Sequence, residues 1–214
     1  MRYLGTYLAK LKNQGAARVF HVIGLGSYTR EKNVELVIRA IGCMPPPRPE
    51  LVWVGNIADA GLIERSTALA DAQGVALRPL TRIGDDELVG LLNHASAMVY
   101  APRLEPFGLA PIEAAACGLP VVAVAEGGVR ETVIDGVTGL LVGSDPAAIS
   151  AGVTRLLSDP ALARRLGENG QAIAREKWSA DAASARLEEQ LLGVVLHRRG
   201  LGHDAKAAST MRPV

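Results

Sequence analysis

Residues 97–124 read AMVYAPRLEPFGLAPIEAAACGLPVVAV, and the order of apolar run, loop, helical stretch and apolar run in them decides the fold. The runs at 97–100 and 121–124 are short and apolar, the composition of strands buried on both faces of a parallel sheet. Between them, Pro111 is tolerated only near the start of a helix, and Gly118 followed by Pro120 marks an end, so a short helix is expected over about 110–117. A strand, a helix and a second strand make one right-handed crossover.

The same alternation continues in both directions. Further strands are expected over 19–23, 51–54, 75–77 and 139–142, which makes the fold α/β, a parallel sheet of about six strands flanked by helices. Asn33 can cap a helix carrying Val34, Val37, Ile38 and Ile41 on one face, and Asp85 or Asp86 can open one with Leu88, Leu91, Leu92 and Ala95 inside. After Asp145-Pro146 the pattern is purely helical. Ile149, Val153, Leu156 and Leu157 share a face, Pro160 starts a second helix and Ser179 a third ending near Leu196, and these are expected to cover the flank of the sheet. The domain is drawn over 18–196. Residues 1–17 carry an apolar stripe of Tyr3, Leu4, Tyr7, Leu8 and Leu11, read as a lead-in helix packed on the body or as a surface for a partner. Residues 197–214 have no periodicity and are expected to form a mobile tail.

Composition narrows the function. The 214 residues carry 23 Lys+Arg against 22 Asp+Glu, a net charge of +1, so no overall basic field attracts nucleic acid or an anionic membrane. Aromatic residues are 4% of the chain, too sparse for stacking platforms. Cys43 and Cys117 make neither a zinc quartet nor a disulfide framework, and the four histidines show no metal-ligand spacing. No serine-hydrolase elbow or P-loop is present. No apolar run is long enough for a membrane span and the amino-terminal residues lack a signal-peptide pattern, so a cytoplasmic location is expected.

In an open parallel sheet the ligand crevice lies at the carboxyl ends of the strands. The first loop there, residues 24–33, offers Gly24 and Gly26 for close backbone approach, a helix start at Asn33, and Lys32 as a point charge for an anion. A dinucleotide site is disfavoured, because Thr29 stands where that fingerprint wants a third glycine. In the second loop Glu105 precedes the helix, Phe107, Gly108 and Leu109 present backbone N–H groups, and Glu113 sits one turn in. Glu113 is either a solvated helix charge or, among Ala114, Ala115 and Ala116, a buried carboxylate in need of donors such as sugar hydroxyls. A third loop, residues 125–132, adds Gly127 and Gly128 before another helix start. Three helix starts are thus expected to converge on one crevice, for a ligand with a phosphate or diphosphate and a polyol.

The run from Glu105 through Glu113 to Pro120, continued by Gly127-Gly128-Val129-Arg130-Glu131 and by residues 135–142, resembles the carboxyl-terminal half of glycosyltransferase family 4. The resemblance extends over about 19–191 and implies a Rossmann-like donor-binding domain of the GT-B fold, in a retaining enzyme that moves a sugar from a nucleotide diphosphate. It implies that Glu113 holds the ribose, and that Glu105 orients the donor sugar. Gly26, Ser27, Phe107, Gly108 and Leu109 would bind sugar and phosphate, and Lys32 would neutralise the diphosphate as charge builds on it. Leu80, Thr81 and Arg82 would lie against the base. The donor is the only small molecule implied, with no metal or other cofactor expected. The acceptor, a sugar or lipid-linked glycan, is left open.

Two departures stand out. Ser27 occupies a position where the family usually has an arginine, so the diphosphate would bind less tightly or recruit Arg30, Arg82 or Arg103. The family's amino-terminal domain, which binds the acceptor, has no counterpart before Val19, so transfer is expected to need a separate acceptor-domain chain. The alternative reading is a catalytically incomplete nucleotide-sugar binding or interaction module that needs a partner chain. A GT-B phosphorylase or epimerase fits the glutamate spacing less well.

Overall fold

The computed structural model describes residues 10–57 and 59–198. Six strands form one sheet: β1 His21–Leu25, β2 Glu50–Gly55, β3 Leu77–Thr81, β4 Ala97–Tyr100, β5 Val121–Val124 and β6 Gly139–Val142. All neighbours are parallel, in the order β3-β2-β1-β4-β5-β6. Ile23 stands between Val52 on one side and Met98 on the other. The helices are α1 Val34–Gly42, α2 Ala60–Gln73, α3 Asp85–His94, α4 Leu109–Ala116, α5 Val129–Thr132, α6 Pro146–Ser158, α7 Pro160–Trp178 and α8 Ala180–Arg198.

Alternation along the buried strands builds two cores. Val22, Leu51, Trp53, Val99 and Val122 face one side and pack with α1, α2 and α6. Ile23, Val52, Val54, Met98, Tyr100 and Val121 face the other and pack with α3 and α4. The aspartates before three helices act as side-chain caps. Asp59 accepts from the Leu62 N–H at 2.9 Å, Asp145 from Ala148 at 2.8 Å and Asp159 from Leu162 at 2.9 Å. Pro146 and Pro160 follow the last two as helix openers. Helix α7 approaches α4 closely, because a Cβ at Gly167 would collide with the Gly118 carbonyl and one at Gly170 would press on Ala115.

Five sequence expectations change. The third strand is 77–81, not 75–77: Gly74 ends α2 in the left-handed conformation at φ 62°, and the Val75 N–H closes that turn on the Ala70 carbonyl at 2.9 Å. Val75 is therefore a buried helix-end residue, while β3 is an exposed edge strand that accommodates Pro79. The first strand starts two residues later than expected, leaving Val19 and Phe20 about half exposed.

Asn33 precedes α1 but does not cap it. Its backbone is left-handed at φ 57°, and its side-chain amide donates instead to the Ala101 carbonyl at 3.0 Å.

The lead-in helix is not formed in the described part of its span. Residues 1–9, with Tyr3, Leu4, Tyr7 and Leu8 of the stripe, lie outside the described residues, and 10–19 run without helix. Asn93 holds that segment through the Gln14 N–H and the Lys12 carbonyl at 2.7 and 3.0 Å. Arg18 donates to the Leu92, Ala95 and Gly118 carbonyls, each at 2.9 Å, and so satisfies the carboxyl ends of α3 and α4. Leu11 is buried.

Of the three terminal helices, α6 and α7 cover the sheet as expected, but α8 stands exposed, with Leu187, Leu191, Leu192, Val194 and Val195 each about half accessible. The expected tail beyond residue 198 lies outside the described residues. No helix among the described residues is long and apolar enough to cross a membrane.

Candidate active site

The strand order reverses between β1 and β4, and the crevice at such a switch point is where an open parallel sheet takes its ligand. A cleft of about 980 Å³ opens there. Leu25, Gly26, Ser27 and Lys32 line it from the loop after β1, Val54, Gly55 and Asn56 from the end of β2, and Tyr100 from β4. Glu105, Leu109, Ala110 and Glu113 close it from the next loop and α4, and Ile83 through Leu88 from the start of α3.

The first loop is held by its surroundings. The Trp53 indole donates to the Gly26 carbonyl at 2.9 Å, and a Cβ at Gly55 would come within 2.6 Å of that same oxygen. A Cβ at Gly26 would press on Lys32 at 2.9 Å, so the glycine leaves room for the lysine stem. The Arg103 N–H donates to the Glu31 carbonyl at 2.7 Å, which with Asn33 on Ala101 ties the first loop to the second.

That tie brings Lys32 to Glu105. The Lys32 Nζ donates to Glu105 Oε2 at 2.6 Å, the Tyr100 hydroxyl donates to the same oxygen at 2.8 Å, and the Gly108 N–H donates to Oε1 at 3.1 Å. The Glu105 side chain is 10% exposed. Burial alone would raise its pKa, but the bonds from Lys32, Tyr100 and Gly108 outweigh burial and hold it below the usual carboxylate range. Gly108 takes φ 89°, a conformation that costs glycine little and aims its N–H back at the carboxylate.

Glu113 is placed differently. It lies eight residues on, half-buried on α4 and lining the same cleft, and makes no hydrogen bond or ion pair with another described residue. Burial pushes its pKa up to about 7. A carboxylate with unfilled acceptor sites at the wall of a cleft suits hydroxyl donors from a ligand.

The other expected site residues divide. Ser27 and Leu109 line the cleft beside Gly26. Phe107 and Gly108 do not: the Phe107 ring packs edge-on against Trp178 at 5.3 Å between centroids, and the Gly108 N–H is engaged by Glu105. Leu80, Thr81 and Arg82 end just before the lining segment, which begins at Ile83. Arg30 and Arg103 line a separate pocket of about 280 Å³ with Arg65, and Arg82 is outside the cleft lining, so none of the three lines the cleft beside Ser27.

The expected convergence of three helix starts is also corrected. The third loop does not line the cleft. A Cβ at Gly127 would collide with the Glu105 carbonyl and one at Gly128 with the Pro106 carbonyl. The Gly128 N–H donates to the Glu105 carbonyl at 2.9 Å, and Glu126 accepts from the Leu104 N–H at 2.9 Å. Its glycines thus allow close packing behind the glutamate loop. The cleft instead takes the start of α3, where Asp85 pairs with Lys10 at 3.4 Å.

Sequence reasoning missed Tyr100, Asn56 and the 83–88 wall. Tyr100 was findable, since a hydroxyl on the last residue of a buried strand beside the switch point has few other places to find an acceptor. Among the described residues no group of three or more His, Cys, Asp or Glu converges as metal ligands would.

Comparison with known proteins agrees with this geometry. The family described as glycosyl transferases group 1 matches residues 11–173. The chain is 36% identical over 183 residues to the D-inositol 3-phosphate glycosyltransferase of Streptomyces avermitilis, an alignment covering 78% of this chain and 39% of that protein. It is 34% identical over 184 residues to the GDP-mannose-dependent alpha-(1-6)-phosphatidylinositol monomannoside mannosyltransferase of Mycolicibacterium smegmatis, covering 80% and 47%. The sucrose-phosphate synthase of Thermosynechococcus elongatus superposes with a TM-score of 0.76 at 29% identity, covering 89% of this chain and 52% of that one. The chain therefore spans about half the length or less of these three proteins. With its sheet order, its cleft and its glutamate loop all accounted for, the chain belongs to the group 1 glycosyl transferases and has the Rossmann-like half of a GT-B fold.

Proposed function

We propose that this chain is the donor-binding half of a retaining glycosyltransferase, and that its cleft takes a nucleotide diphosphate sugar. The observation that carries the reading is the meeting of Lys32, Glu105 and Glu113 in one cleft at the switch point of the sheet. Glu113, without a protein partner, accepts the ribose hydroxyls. Lys32 offsets the charge that grows on the diphosphate as its bond to the sugar breaks, while Glu105 and the loop beside it orient the sugar. No residue is assigned as a covalent nucleophile, so positioning and leaving-group stabilisation supply the catalysis. The smegmatis relative is named for GDP-mannose, which supports a donor of this chemical class. The acceptor is bound by a second body outside the cleft described here.

A second reading, a nucleotide-sugar binding module that acts only with a partner chain, is favoured by the uncharged Ser27 in the phosphate loop. A thermal-shift screen of the chain against nucleoside diphosphates and their sugar conjugates, followed by an assay for slow donor hydrolysis, tests both. Stabilisation by one nucleotide series supports donor binding, and turnover by the isolated chain removes the inert reading. No stabilisation by any member overturns the donor assignment.

A further inference from the structure

We propose that Tyr100 is a positioning residue that keeps the Glu105 carboxylate fixed for the donor sugar while Lys32 is drawn toward the diphosphate; the inference rests on the donor-binding reading above. Two donors meet on Glu105 Oε2, Lys32 Nζ at 2.6 Å and Tyr100 Oη at 2.8 Å, and the Gly108 N–H at 3.1 Å holds Oε1. The two side-chain donors differ in mobility. Lys32 ends a flexible stem whose side chain is 30% exposed. Tyr100 is 3% exposed and stands on β4, a strand paired on both sides.

An entering diphosphate competes with Glu105 for the ammonium protons of Lys32, because both are anions and the lysine has three donors to share. Were Lys32 the only side chain on Glu105, that competition would free the carboxylate to rotate at the moment the sugar needs it. The Tyr100 hydroxyl removes the conflict. Burial and the neighbouring Glu105 both push its pKa up, so it remains a protonated donor wherever the protein is folded. The titratable groups that act on Glu105 are Lys32 from the first loop and Tyr100 from β4, while Glu113 from α4 lines the same cleft and acts on Tyr100.

Tyr100→Phe keeps the ring and deletes the hydroxyl. In the ligand-free chain, the Glu105 carboxyl, followed by carbon NMR and assigned with Glu105→Gln, is expected to titrate about half a pH unit or more higher in Tyr100→Phe. Incorporation of 3-fluorotyrosine at position 100, a stronger donor that leaves packing intact, is expected to move it the other way. In calorimetry, Tyr100→Phe is expected to bind a nucleoside diphosphate within about twofold of the parent but to bind the nucleotide sugar about fivefold or more weakly. Equal weakening of both ligands, as a merely structural role would give, or a Glu105 titration unmoved by either change, overturns the proposal. If the unmodified chain binds neither ligand, the donor reading fails, while the Glu105 titration still decides what Tyr100 does.

Discussion

Replacing Glu113 with glutamine separates the cost of this residue to the fold from its use to a ligand. Burial raises its pKa from 4.5 to about 7, so the folded protein holds a proton there that the unfolded chain has lost. For a carboxyl shifted upward, stability is greatest below about pH 4.5, declines as pH rises toward 7, and levels above that. The difference amounts to about 3 kcal/mol at about 1.4 kcal/mol per pH unit. Glu113→Gln removes the titration. In urea unfolding at about pH 8.5 the variant should be more stable than the parent by up to about 3 kcal/mol, and at about pH 4.5 the two should nearly coincide. Binding should move the opposite way. Charged hydrogen bonds contribute about 1.5–3 kcal/mol each, so losing the carboxylate weakens a nucleoside diphosphate about tenfold or more in calorimetry. In the parent, affinity should rise with pH through about 7, because the ligand hydroxyls favour the charged form. A variant less stable than the parent at the higher pH would mark Glu113 as a structural anchor, and unchanged affinity would remove it from the ribose.

Three further substitutions test the supports of the site. Gly128→Ala places a Cβ against the Pro106 carbonyl and 2.6 Å from the Phe107 Cα; it should cost about 1–3 kcal/mol in urea unfolding and weaken nucleotide binding by shifting the glutamate loop. Arg18→Ala leaves the carbonyl ends of α3 and α4 without their donor; a loss of about 1–2 kcal/mol with nucleotide affinity unchanged is expected, and a loss of affinity instead would tie the segment to the cleft. Ser27→Arg adds a charge to the cleft wall beside Lys32; it should tighten a nucleoside diphosphate about tenfold at low salt, with the gain shrinking as salt is added.

Much of the fold was legible because the strands are apolar and short. Residues 97–100, 121–124 and 139–142 are strands with the expected bounds, the first two buried throughout and the third buried at Gly139 and Leu140. The edge strand escaped for a physical reason. An edge needs no apolar run, and the apolar Val75 belongs to the end of α2. The site divides in the same way. Lys32, Glu105 and Glu113 could be found from the loops that carry them, since chemistry-bearing residues at strand ends are few in so apolar a chain. What pairs with what could not. The Tyr100 hydroxyl on Glu105, the Lys32 ammonium on the same oxygen and the Gly127-Gly128 packing behind them are long-range approaches set by tertiary packing. Glycine pairs before a helix signal close approach without saying whether a ligand or another loop arrives, and here it is the loop at 105–107.

The central claim is that one activated sugar donor sits across Lys32, Glu105 and Glu113. A crystal structure of the chain with a bound nucleoside diphosphate tests it most directly. The account predicts ribose hydroxyls on the Glu113 carboxylate and a phosphate oxygen within hydrogen-bond reach of Lys32 Nζ. A nucleotide lodged instead in the arginine-lined pocket of Arg30, Arg65 and Arg103, with the cleft empty, would contradict it.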